Sequence, residues 1–131
     1  MSQGTIDFTA TTPRIDFSKL DKDERAVASL LTTRRGSSRA MKVPAIAKAV
    51  GLPTRQVQHI VRSLIVDHGI PIGTSMREPY GNYLAVTSEE RSAIAKLHRA
   101  RAEAEMERAR VFERIDREEH TRRHQTELGA A

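Results

Sequence analysis

Between residues 54 and 68 the apolar positions are Val57, Ile60, Val61, Leu64 and Ile65. They stand at i, i+3, i+4, i+7 and i+8, the period of one buried stripe on an α-helix. The other face carries Arg55, Gln56, Gln58, His59, Arg62 and Ser63, none acidic and all able to hydrogen-bond. Upstream, Leu20, Ala26, Val27, Leu30 and Leu31 predict a first helix running to about Thr33. Asp21 is its best N-cap, ahead of Asp16 and Ser18. Asp23 and Glu24 suit its first turn, Arg34 and Arg35 its last, and Gly36 ends it. Ala45, Ile46, Ala49 and Val50 predict a short helix entered through Pro44 and closed by Gly51. Gly51-Leu-Pro-Thr54 is then a tight turn, with Leu52 filling the angle between two helices and Thr54 a candidate N-cap of the second.

After that helix the pattern changes. Gly69 is a left-handed terminator. Ile70-Pro-Ile72 and Tyr83-Leu-Ala-Val86 are short, apolar and rich in strand formers, and Gly73 to Asn82 between them is turn chemistry. This predicts a β-hairpin with a long tip. Ala40 to Val43 has the makings of one further brief strand. Thr87 or Ser88 caps a final helix, with Glu89 and Glu90 in its first turn. No Gly or Pro interrupts it to about His124, a rod of over 50 Å at about 1.5 Å per residue. Ala93, Ile94 and Leu97 are core material. Ile94, Leu97, Arg101, Ala104, Arg108, Val111 and Ile115 keep a heptad rhythm with two arginines at seam positions; Met106, Ala109 and Phe112 offer a second seam, and the competing reading is a solitary solvated helix held by Glu–Arg pairs at i, i+4. Fraying is expected from Thr126. Residues 1–15 lack any helical period and read as a flexible arm. Ile6, Phe8, Ile15 and Phe17 are possible anchors, and Thr5 to Thr9 a possible short strand.

Charge sharpens this outline. Of the net +5, residues 1–15 and 88–131 contribute nothing, and residues 16–87 contribute all of it. From Arg34 to Val66 there are seven cations (Arg34, Arg35, Arg39, Lys42, Lys48, Arg55, Arg62) and no acid. A one-sign field of this extent favours a polyanion. The major groove of duplex DNA admits an α-helix, and Arg and Gln make bidentate contacts there to guanine and adenine. The hydrophobic fraction, 38%, is below the globular norm, so part of the chain is expected outside any core. There is no cysteine, hence no disulfide framework and no thiolate metal site. No apolar run reaches the roughly 20 residues needed to span a bilayer, and no signal peptide is evident. A soluble, cytoplasmic protein is expected.

Helix, helix-turn-helix, hairpin and long helix follow one another here. In that order the chain resembles winged helix-turn-helix domains across about residues 18–97. The resemblance is carried by Val43-Pro-Ala-Ile-Ala-Lys-Ala-Val-Gly-Leu52, by Thr54-Arg-Gln-Val-Gln-His-Ile-Val-Arg-Ser-Leu64, and by Gly69-Ile-Pro-Ile72 with Gly81-Asn-Tyr-Leu84. It is also similar to small winged-helix proteins of phages and prophages in which the wing leads into a charged helix. The resemblance implies an α+β, mostly α fold: three helices plus a β-hairpin wing over residues 16–87, then the long C-terminal helix over 88–131. It implies DNA binding by the helix at Thr54–His68, with the wing tip at the adjacent minor groove or backbone. The family also has members that bind protein or RNA. Glu78 beside Arg77 departs from a purely basic tip and weakens the expected wing–phosphate contact.

The candidate DNA contacts follow. Arg55, Gln56, Gln58, His59 and Arg62 would meet base edges or flanking phosphates, and Thr54 with the first-turn amides would hold a phosphate. Arg34, Arg35, Arg39, Lys42 and Lys48 would position the domain, with Arg77 and Tyr80 at the wing. The expected partners are double-stranded DNA and a second copy of the chain, a homo-oligomer with a dimer favoured, joined through the C-terminal helix. No phosphate loop or dinucleotide fingerprint appears. Ser29 and Ser63 lack the neighbours of a nucleophile. His120 and His124 are one turn apart without a supported third ligand, and His68 reads as a cation at a helix end. No catalytic residue, cofactor, metal, membrane or small-molecule substrate is expected. The leading function is a sequence-preferring transcriptional regulator acting as a dimer. The alternative is a phage or prophage replication, recombination or packaging accessory protein whose C-terminal helix oligomerises or grips a protein partner. A third is a scaffold whose basic face meets an acidic protein.

Overall fold

The computed structural model describes residues 14–130. Its elements are α1 (Lys22–Leu31), α2 (Val43–Val50), α3 (Thr54–Val66), β1 (Ile72–Ser75), β2 (Gly81–Leu84) and α4 (Ser88–Ala130), an α+β and mostly helical arrangement. The chain divides into two compact units, one reaching to Ile94 and one starting at Ala95, so α4 begins in the first and forms the described part of the second. The strand and anchors expected at Thr5 to Thr9 lie outside the described residues. Ile15 and Phe17 pack against the core.

In the first unit α1 and α2 both pack on α3. Leu20, Val27 and Leu31, then Ile46, then Val57, Ile60, Val61 and Leu64, and finally Ile70, Ile72, Leu84 and Val86 form one buried cluster. Each such side chain contributes about 1.5–3 kcal/mol through its removal from water. α1 opens on a full capping box. The Asp21 carboxylate accepts from the Glu24 amide at 2.8 Å, and the Glu24 carboxylate accepts from the Asp21 amide at 3.0 Å. α1 ends at Leu31, two residues before the expected limit, because strand-like pairing takes over: Leu84 donates to the Arg34 carbonyl at 2.7 Å and Gly36 to the Leu84 carbonyl at 2.9 Å. α2 carries Pro44 in its first turn and ends on Gly51, whose φ of 71° is left-handed. Thr54 does not cap α3. Pro53 holds the N-cap position, Thr54 is the first helical residue, and no side chain caps this end.

Three alanines and one isoleucine depart from the expected stripes. Ala26, Ala45 and Ala49 are exposed, while Ala28 and Ala47 are buried in their place. Ile65 is 38% exposed at the rim of α3.

The hairpin pairs Ile72 with Leu84 through to Ser75 with Gly81. It sits two residues nearer the tip than expected, so Gly73 to Ser75 and Gly81-Asn82 are strand, not loop. Two glycines explain the shift. A Cβ at Gly73 would overlap Ile94 of α4, and one at Gly81 would overlap the Met41 main chain. Met41 meets Asn82 in a single antiparallel bridge, with both hydrogen bonds at 2.8 Å, and is all that forms of the brief strand at Ala40 to Val43. Small residues here serve close approach of a helix side chain and of a neighbouring main chain rather than a turn.

α4 is capped by Thr87, whose hydroxyl accepts from the Glu90 amide at 3.0 Å. Ala93 is exposed, and Ile94 lies over Gly73. In the second unit the chain stays helical through Thr126, where the sequence suggested fraying, to Ala130. Ion pairs Glu105–Arg108, Arg114–Glu118 (3.9 Å), Glu119–Arg122 (2.8 Å) and Glu119–Arg123 (3.5 Å) line its surface. Met106, Val111, Phe112, Ile115 and Leu128 are exposed. No described helix is long and apolar enough to cross a membrane.

Candidate nucleic-acid interface

α3 is held from one side only. Val57, Ile60, Val61 and Leu64 face the core, and Arg55, Gln58, His59 and Arg62 are exposed on the side away from it. Arg55 and Arg62 share a face at i and i+7, about 10 Å apart along the axis. His59 falls between them and Gln58 beside it. The exposed Val66 extends the line by one turn, a residue that polarity alone did not single out.

Gln56 and Ser63 belong to a different face. Gln56 donates to Asp23 at 2.9 Å. Ser63 is part-buried and donates to Glu24 at 2.9 Å, with Asp67 at the same distance as a second acceptor. His68 lies 3.3 Å from Glu24. Gln56 is thus tied to α1 and is not aligned with the outward row, which corrects the grouping of six polar residues on one surface. At 100° per residue, 56 and 63 sit about a quarter-turn from the Arg55–Arg62 line. The acid-free run in sequence also acquires an acidic border in space, since Asp23 and Glu24 flank α3. The Glu24 carboxyl is held below the ordinary glutamate value, first by the Asp21 amide and then by the Ser63 hydroxyl, with His68 adding attraction and burial opposing.

The other candidates surround α3 on separate elements. Lys42 precedes α2, Lys48 lies in its last turn, and both are exposed. Arg39 stands on a one-turn 3-10 helix, Ser37–Arg39, and is exposed, as is Arg35. That turn is anchored by a residue not singled out as a site. Glu90 accepts from the Ser37 amide at 3.1 Å with one oxygen, and from the Val86 amide at 3.1 Å and the Thr87 amide at 3.3 Å with the other. Thr87-x-x-Glu90 is a capping-box signal, but its reach to residue 37 has no local trace. Arg34 is half-buried, and its Nε is shut off from solvent without a hydrogen-bond partner. Among the arginines proposed as electrostatic positioners it is therefore the least available.

At the hairpin tip, Ser75 Oγ donates to the Arg77 carbonyl at 2.7 Å and accepts from the Arg77 amide at 3.3 Å. This fixes the turn that displays Arg77, beside an exposed Met76 and a Tyr80 that is 46% exposed. The Glu78–Pro79 bond is cis. Thr54 is exposed at the uncapped start of α3, where its hydroxyl makes no capping bond.

His120 and His124 are exposed in the second unit, and among the described residues no three His, Asp or Glu side chains gather as metal ligands. A recess of about 230 Å3 between the lead-in to α1 and Asp67–Ile70 is lined by charged and apolar groups alike. Comparison with protein-family models, with curated proteins and with solved structures finds no match to this chain.

Proposed function

We propose that the first unit is a winged helix-turn-helix module that binds double-stranded DNA with sequence preference and that the protein acts as a dimeric transcriptional regulator in the cytoplasm. The observation that carries this reading is the exposed row Arg55, Gln58, His59 and Arg62 on a helix whose opposite face is fully packed. A rigid helix with forked donors on its outer side fits the major groove. α2, the Gly51 turn and α3 supply the helix-turn-helix, and the hairpin supplies the wing, with Arg77 and Tyr80 near the flanking backbone. Lys42, Lys48, Arg35 and Arg39 contact phosphates, which orient the protein without reading sequence.

The test begins with selection of bound sequences from a random duplex pool. Arg55→Ala with Arg62→Ala should then weaken binding to the selected site at least several-fold and flatten base preference, since each bidentate contact is worth about 1–3 kcal/mol. Unaltered affinity would remove α3 from the interface. A second reading, an accessory protein of phage DNA replication, recombination or packaging, draws on the exposed apolar residues of the second unit, which suit a protein partner. Competition with random duplex at fixed salt separates the two, because a regulator shows a large specificity ratio and a general binder does not.

A further inference from the structure

We infer that the second unit pairs with the same segment of a second copy in antiparallel orientation, about a two-fold axis beside Glu113. This adds direction and register to the dimer proposed above, and it stands without DNA. The exposed apolar side chains Val111 (37%), Phe112 (71%) and Ile115 (50%) lie within five residues of one another on a highly charged helix, with Met106 and Leu128 exposed farther along it. Val111 and Ile115 fall on the heptad seam with Arg101, Ala104, Arg108, Glu118, Arg122 and Gln125. That seam looks poor for a coiled coil, which prefers apolar residues there. Its charges decide how it can be matched.

In a parallel pair each seam residue meets its own copy. Arg101, Arg108 and Arg122 would each face an identical arginine, and Glu118 an identical glutamate, so four layers would be repulsive. In an antiparallel pair centred beside Glu113 the layers change partners. Val111 meets the partner's Ile115, and Arg108 meets the partner's Glu118, each layer occurring twice by symmetry. Arg122 crosses the small Ala104, and Arg101 meets Gln125. Phe112 packs beside its own copy next to the axis. Shifting the helices by one heptad either way removes the Val111–Ile115 match. Two like pairs remain at the edges, Arg114 with Arg114 and Glu105 with Glu119. Each has an opposite charge on its own helix: Glu118 near Arg114, Arg108 beside Glu105, and Arg122 beside Glu119. Those ion pairs are solvent-exposed and individually weak, so Arg108 and Glu118 can lean toward a partner across the seam while staying one turn from Glu105 and Arg114 on their own helices. Repulsion in the wrong orientation, as much as attraction in the right one, sets the choice.

The test is a charge swap in the full chain, read by sedimentation equilibrium with no DNA present. Arg108→Glu alone and Glu118→Arg alone should each weaken dimerisation at least tenfold, because each creates two like-charge layers. The double variant should return to within about threefold of the parent, while circular dichroism checks that helix content is kept. Parallel pairing predicts like charges at both layers in every variant, hence no loss and no rescue. The absence of cysteine allows a second readout. Val111→Cys and Ile115→Cys should each fail to form a disulfide dimer alone and form one when mixed. Crosslinking of each variant with itself, or a parent chain monomeric at tens of micromolar, would overturn the inference. Failure of duplex binding would leave these masses unchanged, so the two proposals fail separately.

Discussion

Glu24 has three tasks: it closes the α1 capping box, receives the Ser63 hydroxyl and lies beside His68. All three favour its ionised form, so its folded pKa lies below its unfolded one, about 4.3. The stabilisation is therefore present above the unfolded value and is lost as pH falls through the folded one. Glu24→Gln keeps the shape and can still fill the box but removes the charge from a helix start. It should cost on the order of 0.5 kcal/mol near neutral pH. The difference from the parent should shrink as pH falls below the unfolded value and vanish once the folded carboxyl is protonated as well. Urea midpoints for both proteins across a pH series measure this, and parallel curves would mean that the charge is idle. The acid at position 24 was legible as a first-turn residue, because capping is local. Its partners 39 and 44 residues on were not. Alanine misled for a related reason: it is apolar enough for a core and small enough for a surface, so spacing could not choose Ala28 over Ala26, or Ala47 over Ala45 and Ala49.

At the scale of elements, helices with branched apolar stripes were readable, and α3 was read almost to the residue. The hairpin was displaced because Gly73, Gly81 and Asn82 have turn composition yet serve contacts with Ile94 and Met41 that only the assembled fold reveals. The outward row of α3 was legible from its period. The withdrawal of Gln56 to Asp23 was not, since it depends on how α1 crosses α3. Elements also divide the proposed labour on DNA. Lys48, exposed on the last turn of α2, is a phosphate contact in this scheme. Lys48→Ala should weaken binding about equally for all sequences and reduce the slope of log affinity against log salt by roughly one. Gln58 belongs to base reading, where substitution changes preference and leaves that slope alone. A Lys48 variant with altered base preference at constant slope would contradict the assignment.

In the proposed scheme the two units divide stability from association. Every buried apolar residue among those described lies between Leu20 and Val86, so the core is complete before the second unit starts. The segment from Ala95 has exposed ion pairs and exposed apolar side chains, which the proposal above assigns to pairing with a second copy. The flat charge balance of residues 88–131 showed that this part was chemically distinct, because net charge survives any folding. The uniform basic field upstream was only half legible, since Asp23 and Glu24 border α3 in space although they precede the acid-free run in sequence. If the division holds, removing the residues after Ala100 should shift the melting temperature by only a few degrees, because no buried side chain is lost. The same truncation should convert the dimer to monomer in sedimentation. Binding to a symmetric site should then fall steeply while binding to an isolated half-site is kept, as a two-fold protein reading two half-sites loses the benefit of linkage but not the individual contact. An unchanged oligomeric state after truncation would place the joint within residues 1–100, and the exposed faces of α1 and the hairpin would become the surfaces to alter next.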